Sequence, residues 1–314
     1  MARQYTGFHT KPASLPFNFK SHIPWTESQF QTPSDYMSSG DSIHQYYLHQ
    51  HHVIERCYEG FVADPDPELV HQLRLGIKKL RAFDVLSAYL LPEGESRERN
   101  LNKDLKQLFK IAGELRDSQV QIKMLAEFEE NDGYNLSEFE AWLIKREKKR
   151  IRQFGERRKV HGSLPLMHDR HRETSNILAR ADDDAILKSA TRALQSLYTR
   201  AYKLSGVDIS DTNLHNLRTI TKKMRYIYSM VHHSYPSFEF DKISIPSLRE
   251  IEVAAGHWHD CLIRVELLGM FFDRLDETDQ DLILKYRSLP ELFKSRLDEA
   301  YNVASKLCME GFCR

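Results

Sequence analysis

One pattern occurs twice in this chain: His71-Gln72-Leu73-Arg74-(x)3-Lys78-Lys79-Leu80-Arg81 returns as His215-Asn216-Leu217-Arg218-(x)3-Lys222-Lys223-Met224-Arg225, so six residue types recur at identical offsets. A second echo follows each copy, Ala112-Gly113-(x)3-Asp117 and then Ala255-Gly256-(x)3-Asp260, which sets the copies 144 and then 143 residues apart. Self-similarity over that distance marks a duplicated domain, and any fold for the chain must accommodate two similar halves.

The spacing inside each copy is helical. At about 100° per residue, offsets 0, 3, 7 and 10 fall within roughly an 80° sector. His71, Arg74, Lys78 and Arg81 therefore form one basic stripe, and His215, Arg218, Lys222 and Arg225 a second. The neighbouring sector holds Leu73, Ile77 and Leu80 in the first copy and Leu217, Thr221 and Met224 in the second, a core seam; Lys79 and Lys223 point elsewhere. Asp66-Pro67-Glu68 and Ser210-Asp211-Thr212 supply start signals ahead of the stripes. Both stripes thus sit early in their helices, where the dipole also favours anions.

The chain is long enough for two ordinary domains, at 314 residues. Thirteen glycines and eleven prolines fall well below the roughly 12% of average sequences, which favours an all-α fold. Lys plus Arg equals Asp plus Glu at 45 each, so no global field draws the protein to nucleic acid or membranes, and any anion site is made by local sorting. Cys57, Cys261, Cys308 and Cys313 are scattered without a CxxC pair, which indicates neither a zinc knuckle nor a disulfide framework. No apolar stretch approaches a membrane helix, and the N-terminus lacks a signal-peptide core. A soluble, cytoplasmic protein is expected.

Residues 1–42 carry Pro12, Pro16, Pro24 and Pro33 with Phe17, Phe19, Trp25 and Phe30 and no sustained period, so an extended N-terminal arm is expected there. Beyond it, breakers such as Asp64-Pro65, Pro92-Glu93-Gly94, Asn131-Asp132-Gly133 and Tyr235-Pro236 divide helical patterns. Four helices are predicted in each half: 43–63, 67–91, 97–130 and 136–160 within a first half at 43–163, then 184–204, 211–233, 246–273 and 278–310 within a second half at 164–314. Two antiparallel four-helix bundles are the natural packing. Further basic residues, Arg99, Lys103, Lys106 and Lys110, follow helical offsets on the third helix, and Lys106 corresponds to Arg249 in the second half. The run from Lys145 to Lys159 has nine basic residues against Glu147 and Glu156, and reads as a solvated helix face.

These residues resemble the CHAD family, the conserved histidine α-helical domain, whose pattern is His-x-Leu-Arg-x-x-x-Lys-Arg-Leu-Arg-Tyr. The second copy, His215 through Arg225-Tyr226, fits closely; the first departs at Ala82, where a tyrosine often stands. The family's later Leu-Gly-x-x-Arg/Asn-Asp element looks like Ala112-Gly113-Glu114-Leu115-Arg116-Asp117 and Ala255-Gly256-His257-Trp258-His259-Asp260, with His259 as a departure. The resemblance covers residues 43–310 and implies two four-helix bundles related by a pseudo-twofold, with basic residues of both halves lining a central pore or groove. It also implies binding of inorganic polyphosphate without catalysis, cofactor or metal, and an association with polyphosphate granules. The binding residues would be His71, Arg74, Lys78, Arg81, His215, Arg218, Lys222 and Arg225, supported by Lys79, Lys223, Lys106 and Arg249.

Two basic stripes on core-proximal helices need a neutralising partner, because burying like charges is costly. A linear polyanion threaded between the halves supplies one. His71 and His215 either bind that anion, and are then pulled toward the charged form, or are neutral structural histidines. Asp117 and Asp260 read as internal partners orienting arginines, Tyr226 as a structural neighbour of Arg225, and Gly113 and Gly256 as sites of close helix crossing. A rival is an RNA-binding helical protein, although the stripes show no aromatic interleaving for base stacking. A metal-dependent phosphohydrolase is the other, prompted by His168-Asp169 and His259-Asp260; against it, His257 and His259 are poorly spaced for one helical face, and the repeat counterpart of His259 is Arg116, which cannot ligate.

Overall fold

Capping begins the second and seventh helices where the sequence placed their start signals. Asp66 Oδ1 accepts from the backbone N–H of Glu68 at 2.7 Å with Pro67 in the first turn, and Ser210 Oγ accepts from the N–H of Asn213 at 3.2 Å. The structure, a computed structural model, describes residues 42–63, 66–91, 103–161, 168–206, 208–276 and 278–313. The expected arm, apart from Ser42, lies outside the described residues, as do Asp64-Pro65, Pro92-Glu93-Gly94 and Arg99.

Among the described residues there are ten helices and no strand: α1 (Ile43–Ala63), α2 (Pro67–Leu90), α3 (Lys103–Asp132), α4 (Ser137–His161), α5 (His168–Arg180), α6 (Asp183–Leu204), α7 (Asp211–Ser234), α8 (Ile245–Phe272), α9 (Gln280–Tyr286) and α10 (Leu289–Phe312). The chain is all-α, as its composition and periodicity predict. None of these helices is long and apolar enough to cross a membrane.

Two helical assignments differ from expectation. α5 has no counterpart among the predicted helices, because the face it buries is carried by Thr174 and Leu178 beside the half-buried His171, too polar a set for a hydrophobic period to register. The single helix expected over 278–310 is divided into α9 and α10 at Arg287–Ser288. Pro290 sits in the first turn of α10, where its missing N–H and its ring prevent the preceding helix from continuing.

The seam residues pack as expected. Leu73, Ile77 and Leu80 of α2 and Leu217, Thr221 and Met224 of α7 are all buried. α2 packs directly on α7 and on α6, α6 packs on α7, α7 on α8, and α8 on α10. One hydrophobic cluster joins these helices and includes Phe83, Ile227 and Trp258. A second gathers Leu125, Phe128 and Phe139 of α3 and α4 with Leu268, Phe271 and Phe293 of α8 and α10. Each cluster therefore takes side chains from both sequence copies. Gly76 allows α1 and α2 to close up, since a Cβ there would stand 2.5 Å from Ile54 Cγ1. Near the end of α2 the carbonyl of Tyr89, left without an intrahelical donor, accepts from Ser189 Oγ at 3.1 Å and Arg192 Nη2 at 2.8 Å, which ties the helix to α6.

Candidate anion-binding site

Packing α2 against α7 brings the two basic stripes together, and the echo elements on α3 and α8 add charges around them. Arg74 and Lys78 of α2 lie within electrostatic reach of Arg218 and Lys222 of α7. Burial pushes the Lys78 ammonium well below its ordinary range, and the like charges of Lys222, Arg74 and Arg218 push it further, opposed by Glu252. Lys222 falls to about 8, first through burial and then through Arg218, with Glu252 and Asp260 opposing. Neither lysine has an ordinary surface environment.

The acids of the echo elements divide between the arginines by repeat position. Asp117 is the strongest opposite charge on Arg74, and Asp260 is the strongest on Arg218. Burial raises both carboxyls, and the neighbouring arginine lowers each. Three carboxylates, Asp117, Asp260 and Glu252, stand against the five cations Arg74, Lys78, Arg116, Arg218 and Lys222. Arg218 Nε and His259 Nδ1 are buried there with no hydrogen-bond partner among the described residues, so two polar atoms face the cluster unsatisfied.

The histidines occupy unequal positions. Burial lowers His71 to about 4, reinforced by Arg116, Lys78 and Arg74, so it is neutral at physiological pH in the ligand-free protein. His215 is exposed, with its ring 5.6 Å from that of His259. His259, in the place of Arg116, falls to about 3 through burial and the charges of Arg218 and His215.

The arginines that end the stripes are held differently in each copy. Arg81 lies over the Phe109 ring at 4.3 Å and Arg74 over the same ring at 4.6 Å, while Arg74 Nη1 donates to the Phe109 carbonyl at 3.0 Å. Arg225 instead donates through Nε to the Glu252 carboxylate and lies over Tyr226 at 4.6 Å. Lys223 lies near Arg200 and Arg81, to one side of the central group. Lys79 is half-buried, while Lys106 and Arg249 are solvent-exposed.

The glycines depart from the expected role. A Cβ on Gly113 would meet Arg74 Nη1 at 2.5 Å, so this glycine seats a guanidinium against α3 and does not serve a helix crossing; around Gly256 nothing lies within 4 Å. On α4, Lys145, Lys148, Lys149 and Arg152 are exposed while Arg150 turns inward to pair with Glu114 at 2.5 Å, so the described part of that basic run is mostly a solvated face. Among the described residues no group of three or more His, Cys, Asp or Glu side chains is gathered for a metal ion.

Several residues of the site were silent in the sequence. Phe109 and Glu252 occupy the same repeat position, 143 residues apart, but differ in type, so the echo does not reveal them. The same holds for Gln121 and Arg264. Here α3 and α8 meet: Gln121 Nε2 donates to the Asp260 carbonyl at 2.8 Å and Arg264 Nε donates to Gln121 Oε1 at 3.1 Å. The signal available was their common distance of four residues after Asp117 and Asp260.

Comparison with known proteins agrees with the motif. The model of the CHAD domain matches residues 45–269, which include both copies. The crystal structure of the CHAD domain from the plant Ricinus communis superposes with a TM-score of 0.60 at 17% identity, over 88% of this chain and 93% of that one, a likeness of fold. No curated protein matches the sequence.

Proposed function

Because this chain belongs to the CHAD domain family, we propose that it binds a linear polyanion, inorganic polyphosphate, along the cations shared by α2 and α7, and that it does so without catalysing a reaction. The observation that carries this is the convergence of Arg74, Lys78, Arg218 and Lys222, from two distant stretches of a chain with no net charge, into one group whose burial and like charges lower both lysines despite the opposing Glu252. Clustering half-buried like charges costs stability that internal carboxylates have to offset. Phosphate oxygens would neutralise them, with forked contacts from the arginines and point charges from the lysines. Association with polyphosphate granules belongs to the same proposal. RNA carries the same backbone chemistry, but the Phe109 ring already carries Arg74 at 4.6 Å and Arg81 at 4.3 Å, and a base stacking where either guanidinium sits would have to displace it.

Titration of long-chain polyphosphate against salt tests the proposal. About four phosphate contacts at roughly 0.7 counterion each give a log–log slope near −3, so affinity should fall about fiftyfold between roughly 50 and 200 mM salt. Absence of binding at low salt would refute it, and so would equal displacement by RNA of matched charge. Gly113→Ala gives a local check. A methyl there displaces the Arg74 guanidinium, so binding should weaken by roughly three- to tenfold. Stability should stay within about 1 kcal/mol, because alanine's helix propensity offsets the shift of a flexible side chain.

A further inference from the structure

The two copies of the motif place the same arginine, Arg81 and Arg225, at the end of each stripe, yet the neighbour at the equivalent position is an aromatic ring in one and a carboxylate in the other. Phe109 leaves the charge of Arg81 and Arg74 in place, because a ring attracts a cation without neutralising it. Glu252 removes a charge. Its carboxylate accepts from Arg225 Nε, and its side chain is only 16% exposed, so solvent screens it far less than a surface acid. The same carboxylate acts on Lys78, Arg218 and Lys222, cations drawn from both copies. Asp117 and Asp260 are common to the two halves, whereas Glu252 belongs to the second alone.

We propose that Glu252 is a built-in counter-anion of the polyanion site: it occupies Arg225 in the free protein, competes with incoming phosphate, and sets a threshold that only a multivalent anion overcomes. The proposal rests on the polyphosphate-binding reading above and names the residue that governs its selectivity. A tethered carboxylate presents itself to Arg225 at high effective concentration, which a single phosphate ion cannot match. A chain of phosphates engages Arg74, Lys78, Arg218 and Lys222 together, so its combined contacts outweigh the Glu252–Arg225 pair. Discrimination against orthophosphate and short chains then follows from one side chain rather than from the dimensions of the site.

The test is to titrate long-chain polyphosphate, triphosphate and orthophosphate into wild type, Glu252→Gln and Glu252→Met, with thermal unfolding recorded for each. Removing the charge should tighten long-chain binding roughly tenfold, about 1.4 kcal/mol. Triphosphate and orthophosphate should gain by a larger factor than the long chain, an equal factor refuting the selectivity role, and the free variants should be no more stable than wild type because Arg225 has lost its partner. Greater affinity combined with equal or lower stability is a pairing that a merely structural acid would not produce. If wild type binds polyphosphate and both folded variants bind it equally or more weakly, Glu252 has no such role while the polyphosphate reading stands. If neither wild type nor variants bind, both fail. Binding by the variants alone would overturn the threshold as stated and the polyphosphate reading of the wild-type protein with it, because Glu252 would then exclude even a long chain.

Discussion

Substituting Arg74 and Arg218 together by Glu should reduce polyphosphate affinity on the order of a thousandfold. Hydrogen bonds to charged groups contribute about 1.5–3 kcal/mol each, so removing two costs roughly 3–6 kcal/mol in binding, and the new carboxylates repel phosphate in addition. Each single reversal should already lose more than half of that free energy, because the two arginines sit in one coupled group and neighbours do not contribute independently. Both positions adjoin carboxylates, Asp117 beside Arg74 and Asp260 beside Arg218. Lys78, Arg116 and Lys222 remain to balance the new acids, so helicity should persist. The companion variants Arg74→Gln and Arg218→Gln separate loss of attraction from added repulsion. Binding that survives the double reversal within tenfold would remove the α2–α7 cluster as the site.

The second expectation has opposite signs for stability and function. Lys78→Met and Lys222→Met should each weaken polyphosphate binding by roughly ten- to a hundredfold while stabilising the free protein by about 1–2 kcal/mol, since replacing a half-buried charge in a like-charged group by an apolar side chain of similar length removes a desolvation cost. Lys222 also fixes a pH window. Its folded value is about 8 against an ordinary 10.5, so below pH 8 the ammonium is charged in both states and the cost is complete. Between 8 and 10.5 the folded protein sheds the proton first and the unfolded chain holds more protons, so the cost fades as pH rises. The advantage of Lys222→Met over wild type should therefore be largest below pH 8 and shrink toward pH 10.5. Using the difference between the two proteins matters, because the buried thiols of Cys57 and Cys308, raised by burial, destabilise wild type and variant alike as the solution becomes more alkaline. A difference in unfolding free energy that stays constant from pH 7 to 10.5 would contradict the proposed environment of this lysine. A destabilised variant would show that the lysine is held by an internal partner.

The histidine proposed for the ligand in the first copy illustrates how burial redirects a sequence expectation. An exposed imidazole charges near pH 6.5, and a stripe of cations around it looks like an invitation to phosphate. His71 is instead half-buried beside Arg116, Lys78 and Arg74, and burial together with those charges lowers it to about 4. Any strengthening of binding in mild acid then requires the phosphate itself to draw a proton onto the ring. His215 occupies the equivalent place and is lowered as well, by partial burial and by Arg218 and Lys222, but it stays exposed, so the repeat carried the neighbours and not the degree of burial.

By itself the sequence determined that the chain is helical, where the motif helices begin, and which faces of them are apolar and which basic. Those properties are local: a cap, a first-turn proline and a period of 3.6 act within a few residues, and the buried Leu73, Ile77 and Leu80 of α2, with Leu217, Thr221 and Met224 of α7, follow them directly. The repeated identities also singled out Arg74, Lys78, Arg218 and Lys222 before any contact between them was known. Only the tertiary structure decided that the four share one electrostatic group, that Gly113 seats a guanidinium while Gly256 faces open space, and that Phe109 and Glu252 treat equivalent arginines in opposite ways. Those outcomes depend on which helices meet and on side chains from different parts of the chain. A duplicated motif specifies what its own helix presents, whereas the field at a buried charge is set by whatever packs against it.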